Sequence, residues 1–87
     1  MKVQSSIEQK LNDGLSPAHL DIANESHMHN VAEGSESHFK VIIASAAFEG
    51  KRQVQRHQLI YGLLKEELAG SVHALALHTF SPEEWQQ

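Results

Sequence analysis

We predict that this sequence forms one small α/β domain over residues 1–87, with a three-stranded mixed sheet and helices on one face. Three short segments alternate between polar and apolar residues, which is the period of a β-strand with one covered face. Two longer segments space apolar residues three or four positions apart, as in an amphipathic helix. Of the 87 residues, 40% are hydrophobic and 21% charged, a balance typical of a folded domain rather than a disordered chain.

A first helix is predicted for about residues 3–13. Gly14 suits the left-handed conformation that ends a helix, and Pro17 resists its continuation. A strand is then predicted for His19–Asn24, where polar and apolar residues alternate. Four apolar residues recur at every fourth position and define the buried face of the helix: Val3, Ile7, Leu11 and Leu15.

Residues 25–36, with the sequence ESHMHNVAEGSE, have no sustained periodicity and are predicted to form a long exposed loop. Loops of this length inside compact domains are often functional. Residues 38–45 alternate in polarity and are rich in β-branched side chains, so we predict a strand there. We place this strand at the centre of the sheet.

A second helix is predicted for residues 53–68, with Gly70 at its end. A third strand is predicted for residues 72–79, with its larger side chains facing the helices. Because the second helix connects the second and third strands, a right-handed parallel crossover is favoured. The apolar face of the second helix is expected to consist of Val54, His57, Tyr61, Leu64 and Leu68.

The C-terminal residues carry a helix-start signal. Ser81 suits the cap of a helix, Pro82 its first position, and Glu84 completes a capping box three residues after the cap. A short last helix is therefore predicted, and it carries Trp85.

Composition excludes several classes of protein. The longest apolar stretch, residues 41–48, is far shorter than the roughly 20 residues of a membrane-spanning helix, and residues 1–6 do not resemble a signal peptide. We therefore expect a cytoplasmic protein with no membrane partner. The chain has no cysteine, so it can form neither a disulfide nor a thiolate metal site alone. No nucleophile–base pair or phosphate-binding glycine loop stands out, and enzymatic activity is not expected.

The charge disfavours a broad nucleic-acid surface but permits a local one. The formal net charge is −4, from eleven acidic and seven basic side chains. Three of the basic residues, Lys51, Arg52 and Arg56, fall within six positions at the start of the second helix. They are candidates for contacts with phosphate groups. The alternative is a solvated helix face of mixed charge.

Three stretches of the sequence together resemble proteins of one family. They are ESHMHNVAEGSESHFKV at 25–41, FEGKRQVQRHQLIYGLLKEEL at 48–68 and VHALALHTFSPEEW at 72–85. In order and spacing they resemble the BolA family over nearly the whole chain. The resemblance implies a fold like the type II KH domain, ordered α-β-β-α-α-β-α, with the first two strands antiparallel and the third parallel to a neighbour. The sequence after Gly50 lacks the G-x-x-G loop of KH domains, so clamping of single-stranded RNA is not expected.

The resemblance implies two functions. Bacterial BolA proteins are described as DNA-binding transcriptional regulators of stress response and cell shape, and members more widely pair with monothiol glutaredoxins around a [2Fe-2S] cluster. By resemblance, His29 and His73 are candidate cluster ligands, with the other ligands supplied by a glutaredoxin cysteine and by glutathione. His27 lies two residues from His29 and could substitute for it. No cofactor is expected in the isolated protein.

Several alternatives remain open from the sequence. The protein could be an iron–sulfur cluster adaptor or trafficking factor that does not touch DNA, or an interaction module whose histidines are merely solvated. A homodimer is also compatible with the sequence. Three further histidines, His38, His57 and His78, are expected to pack or to form hydrogen bonds, and His19 is expected to be exposed.

Overall fold

The computed structural model describes residues 2–26 and 36–85, so most of the predicted loop, residues 27–35, lies outside the described residues. Within the described ranges, no helix is long and apolar enough to cross a membrane. In chain order, the elements are α1 (Lys2–Leu15), β1 (His19–Asn24), β2 (His38–Ala44), a short 3-10 helix (Ala46–Phe48), α2 (Gln53–Leu63), α3 (Lys65–Ala69), β3 (Ala74–Phe80) and α4 (Pro82–Trp85).

The three strands form one mixed sheet in the order β1-β2-β3, with β2 at its centre as predicted. β1 pairs with β2 antiparallel, with His19 opposite Ala44, and β2 pairs with β3 in parallel, with Ile42 opposite His78. The chain crosses from β2 to β3 through α2 and α3, because parallel strands cannot be joined by a tight hairpin. The predicted order α-β-β-α-α-β-α is confirmed, whereas the likeness to a KH domain stays a prediction.

The core lies between one face of the sheet and the two long helices. Alternate residues of β2, namely Phe39, Val41 and Ile43, are buried there. Burial of each such side chain contributes about 1.5–3 kcal/mol. On β3 the larger residues Leu75 and Leu77 pack against the same core, as predicted. The helices contribute Ile7, Leu11, Leu15, Ile60 and Leu64.

The opposite face of the sheet carries the aromatic ring of α4. Trp85 stacks on His19 with 4.3 Å between ring centroids, and its ring lies 5.3 Å from that of Phe80. His19 and Phe80 are both register partners of Ala44 and therefore share its face of the sheet. The prediction of helices on one face thus describes α1 and α2, whereas α4 places Trp85 against the other face.

α1 ends two residues later than predicted. Gly14 lies within the helix, and the residue in the left-handed conformation is Ser16, with φ 43°. A Cβ added at Gly14 would lie 2.8 Å from the side chain of Leu63 on α2. The prediction that Gly14 ends α1 is therefore wrong, because its missing side chain instead permits the close approach of the two helices.

The predicted helix 53–68 is divided into α2 and α3 at Leu64, whose φ of −103° and ψ of 22° depart from helical geometry. The buried side of this helical segment includes Arg56 as well as Leu64. Val54 and Tyr61 belong to the predicted buried face but are 59% and 42% exposed. This part of the prediction is wrong because Arg56 takes a core-facing position through hydrogen bonds to distant parts of the chain.

Candidate functional site

His73 lies immediately before β3, and its side chain is exposed. Its backbone N–H donates to the carbonyl of Ser37 at 2.8 Å, and the N–H of Ala74 donates to the same oxygen at 3.1 Å. These two hydrogen bonds fix the backbone where the parallel β2–β3 pair begins. The imidazole is therefore accessible to a partner molecule, whereas the backbone of His73 is held in place by these hydrogen bonds.

The two ends of the segment 27–35 are fastened beside His73. The hydroxyl of Ser26 accepts hydrogen bonds from the N–H groups of Ser37 and His38, at 2.9 and 3.0 Å. Ser26 and Ser37 are both buried. A buried N–H without a partner would cost about 1–3 kcal/mol, so this hydroxyl stabilises the backbone on both sides of residues 27–35. Sequence reasoning missed both serines because an isolated serine in a loop gives no periodic signal.

His29 and the alternative ligand His27 lie outside the described residues. Within residues 2–26 and 36–85, no group of three or more histidine, aspartate or glutamate side chains is arranged to hold a metal ion. Neutral imidazole is a common metal ligand. Among the described candidates, His73 can therefore offer one nitrogen ligand, and any further ligands would come from residues 27–35 or from another molecule.

The other described histidines occupy varied surroundings. Nδ1 of His38 lies 2.8 Å from the hydroxyl of the preceding serine. His57 is half-buried, and its Nε2 has no hydrogen-bond partner among the described residues. His78 is exposed on the sheet face that carries α4. The prediction that His19 is exposed is wrong, because Trp85 stacks on it and leaves it half-buried.

Two of the three predicted basic residues form an exposed corner at the start of α2. Lys51 and Arg52 are both exposed, and the N–H of Arg52 donates to Oε1 of Gln55 at 2.9 Å. The first turn of α2 contains no acidic residue. Because the N-terminus of a helix favours anions, these two side chains and the helix start can act together on a phosphate group. We call Lys51 and Arg52 the basic corner.

Arg56, the third predicted basic residue, is 5% exposed. Its guanidinium donates to Oε1 of Glu84 at 2.7 Å and to the carbonyl of Lys51 at 2.9 Å. It also donates to the carbonyl of Thr79 at 3.3 Å and lies 5.8 Å from the ring centroid of Phe48. A phosphate contact by Arg56, as the sequence suggested, would require these bonds to break. We therefore assign Arg56 a structural role.

Glu84 completes both the ion pair and the capping box. Its carboxylate accepts from the N–H of Ser81 at 2.7 Å, and the hydroxyl of Ser81 accepts from the N–H of Glu84 at 3.3 Å, as predicted. The hydrogen bond from Arg56, followed by that from the backbone of Ser81, lowers the pKa of Glu84 to about 2. Glu84 is therefore ionised at neutral pH and joins α4 to α2.

Residues 11–84 match the family model for the BolA-like proteins. The chain is 58% identical over 99% of its length to the DNA-binding transcriptional regulator BolA of Haemophilus influenzae, and covers 84% of that protein. Its identity to the protein of the same name from Escherichia coli is 49% over 99% of this chain and 82% of that protein. Its identity to human BolA-like protein 1 is 46% over 98% of this chain and 62% of that protein.

The fold is similar to solved structures of comparable proteins. The solution structure of BolA1 from Mus musculus has a TM-score of 0.91 at 46% identity, over 99% of this chain and 70% of that one. The BolA domain of SufE1 from Arabidopsis thaliana has a TM-score of 0.87 at 40% identity, over 93% of each chain. The bacterial relatives described above are named as regulators rather than as enzymes.

Proposed function

The chain belongs to the BolA-like protein family, and we propose that it is a DNA-binding transcriptional regulator that also pairs with a monothiol glutaredoxin through a shared [2Fe-2S] cluster. The regulatory part is supported by bacterial relatives with this name at 58% and 49% identity. In the molecule itself, it is supported by the exposed basic corner of Lys51 and Arg52. In this proposal the protein acts in the cytoplasm during stress responses and has no catalytic turnover.

DNA contact is expected to be confined to the start of α2. The net charge of −4 repels the phosphate backbone from most of the surface, whereas the basic corner and the helix N-terminus attract it. Each phosphate neutralised by a basic side chain releases condensed counterions, which gives a salt slope of about −0.9 per contact. Contact through Lys51 and Arg52 alone therefore predicts a shallow slope, near −2.

Fluorescence anisotropy with a labelled pool of random-sequence duplex DNA, over a series of salt concentrations, tests this contact. Lys51→Ala and Arg52→Ala should each weaken binding and reduce the magnitude of the salt slope by about 1. Lys65→Ala is the matched control, because Lys65 is an exposed lysine at the far end of the same helical segment. Equal affinity of the wild type and the Lys51→Ala, Arg52→Ala double variant would contradict this assignment.

The exposed imidazole of His73 favours the cluster part of the proposal. Its backbone is fixed beside the base of the segment 27–35, which carries His29. In this proposal His73 provides one nitrogen ligand, and His29, or His27 in its place, provides a second.

The sulfur ligands would have to come from outside the chain, because it has no cysteine. A glutaredoxin cysteine and the thiol of glutathione are the proposed sources. When bound, a cluster with mixed histidine and thiolate ligation supplies a potential that depends on its ligands and on protonation. The contribution of this chain is to hold the His73 backbone through Ser37 while leaving the imidazole open to the partner.

Size-exclusion chromatography under anaerobic conditions tests the pairing. The protein is mixed with a monothiol glutaredoxin, glutathione, iron and sulfide, and the iron content of each peak is measured. We expect both proteins to elute together with iron, and His73→Ala to reduce that peak. His78→Ala is the matched control, since His78 is also exposed and lies on β3. An iron-containing complex that His73→Ala leaves unchanged would exclude His73 as a ligand.

The two tests also separate the proposal from its main alternative. A cluster-dependent complex without DNA binding at any salt concentration would indicate an iron–sulfur cluster adaptor or trafficking factor. DNA binding through the basic corner without a cluster complex would indicate a regulator that acts alone.

A further inference from the structure

One peptide unit at the start of β2 is hydrogen bonded from both sides. It joins Ser37 to His38, and its N–H donates to the buried hydroxyl of Ser26 at 3.0 Å. Its carbonyl oxygen accepts from the N–H groups of His73 and Ala74, at 2.8 and 3.1 Å. Because the unit is planar and trans, its N–H and C=O point in opposite directions. The Ser26 hydroxyl and the His73 backbone therefore lie on opposite sides of the same rigid plane.

The hydroxyl of Ser26 also fixes the turn by which the chain enters β2. It accepts a second hydrogen bond, from the N–H of Ser37 at 2.9 Å. In a regular strand, successive N–H groups point to opposite sides, so two of them converge on one oxygen only where the backbone turns. The two bonds to Ser26 therefore set the orientation of the peptide unit between Ser37 and His38.

Ser26 is itself held in place, and it is buried. Its N–H donates to Oδ1 of Asn24, the last residue of β1, at 3.0 Å. A hydroxyl suits this position, because its oxygen has two lone pairs and can accept from both N–H groups. Alanine would leave the two N–H groups without this acceptor, and a buried carboxylate would bring an unpaired charge. The side chain of Ser26 is therefore a fixed acceptor for the start of β2.

The position of the His73 backbone depends on the same peptide unit. The residue before it, Val72, is buried, and its N–H donates to the carbonyl of Glu67 at 3.1 Å. After it, the N–H of Ala74 shares the carbonyl of Ser37 with the N–H of His73. The backbone sets the direction of the Cα–Cβ bond. The exposed imidazole therefore moves when the carbonyl of Ser37 moves.

We propose that Ser26 is a positioning residue for His73 and acts through the peptide unit between Ser37 and His38. This assignment rests on the proposed function of His73 as a metal ligand. A ligand atom must lie within about 0.2 Å of its ideal distance from the metal, so a small tilt of its backbone weakens the bond. Groups that orient a ligand without touching the metal typically change metal affinity by about 10–100-fold. The Ser26 hydroxyl is a group of this kind.

Amide NMR of the protein without metal tests the link between Ser26 and His73. Ser26→Ala removes the acceptor from one side of the peptide unit, which can then rotate, and the hydrogen bond from the N–H of His73 becomes longer. We expect the amide proton of His73 to move upfield, because a longer hydrogen bond deshields it less. Its hydrogen exchange should become about tenfold faster.

Ser45→Ala is the matched control, because Ser45 is a buried serine that directly follows the other end of β2. Its hydroxyl donates to the carbonyl of Leu15 at 2.6 Å and accepts from the N–H of Ala47 at 3.1 Å. This variant should be less stable than the wild type but should leave the amide proton of His73 unshifted.

A second variant keeps the test decisive if Ser26→Ala does not fold. Ser26→Cys retains the size of the side chain and replaces its oxygen with a weak acceptor, so it should give a smaller upfield shift of His73. An amide proton of His73 that Ser26→Cys leaves unshifted would overturn the proposal. An equal shift in Ser45→Ala would also overturn it, because the shift would then report a general loss of stability.

The complex with a monothiol glutaredoxin, glutathione, iron and sulfide tests whether the positioning affects the metal. Ser26→Ala should alter the visible circular dichroism of the cluster and release iron to a chelator about tenfold faster. Ser26→Thr, which retains the hydroxyl, and Ser45→Ala should keep the bands of the wild type. Distinct bands that Ser26→Ala leaves unchanged would overturn the role of Ser26 alone. Bands of the wild type identical to those of the glutaredoxin would overturn the proposed function of His73 itself.

Discussion

The two ends of β3 use their polar residues in different ways. At the start of the strand, His73 exposes its imidazole, and among the described residues only its backbone has hydrogen-bond partners. At the end of the strand, Thr79 and Ser81 are buried and are bonded to Arg56 and Glu84. We infer that the start of β3 serves binding and that its end serves stability.

Burial accounts for this difference. A charged group removed from water must be paired, and the guanidinium of Arg56 meets a carboxylate and two carbonyls. An exposed imidazole remains hydrated and loses little by having no protein partner. A basic residue that the sequence indicates as a phosphate-binding group can therefore have a structural role instead when the fold buries it.

Arg56→Ala should produce the largest effect at the structural end. The substitution removes the Arg56 donor from the carbonyls of Lys51 and Thr79 and from the carboxylate of Glu84, and we expect a loss of about 2–4 kcal/mol in the free energy of unfolding. Urea denaturation measures this loss. Arg52→Ala is the control, because Arg52 is exposed and its removal should change stability by less than about 0.5 kcal/mol. Equal stability of the two variants would contradict the structural role of Arg56.

Low pH should destabilise the contacts at the C-terminal end of β3, where Glu84 binds Arg56 and Ser81. Folding lowers the pKa of Glu84 from 4.5 to about 2. The ionised carboxylate therefore contributes stability that is present above the unfolded pKa and is lost as the pH falls toward the folded one. Glu84→Gln should be less stable than the wild type near neutral pH, and the difference should shrink below pH 4.5.

Urea midpoints of the wild type and Glu84→Gln, measured near neutral pH and in acid, check this prediction. A difference that stays constant over the whole range would show that the charge of Glu84 does not stabilise the fold.

His73→Ala should have the smallest effect on stability. Its side chain is exposed, so we expect a change of less than about 0.5 kcal/mol in the free energy of unfolding. Urea denaturation beside His78→Ala, the matched exposed histidine on β3, measures it. A marked destabilisation by His73→Ala alone would show that the start of β3 also stabilises the fold. It would contradict the inference that the two ends of β3 have different roles.

Local signals in the sequence predict much of this fold. The bounds of β1 are those of the alternating segment His19–Asn24, and the capping box of Ser81 and Glu84 is present as predicted. Both features depend on residues close together in the chain. The central position of β2 also follows from its buried apolar pattern.

Contacts between distant residues account for the errors. Gly14 permits an approach by Leu63, which lies 49 positions later in the chain, and so does not end α1. Arg56 is buried because Thr79 and Glu84 receive its hydrogen bonds, 23 and 28 positions away. Periodicity cannot identify such partners. For the same reason, the sequence indicated three basic residues at the start of α2 where the structure exposes only Lys51 and Arg52.

The role of His73 as a ligand is the central claim for the binding end of β3. Visible absorption and circular dichroism during anaerobic reconstitution with a monothiol glutaredoxin, glutathione, iron and sulfide test it most directly. The wild type should give cluster bands distinct from those of the glutaredoxin alone, His73→Ala should alter them, and His78→Ala should preserve them. Spectra identical to those of the glutaredoxin alone, or bands that His73→Ala leaves unchanged, would contradict the claim.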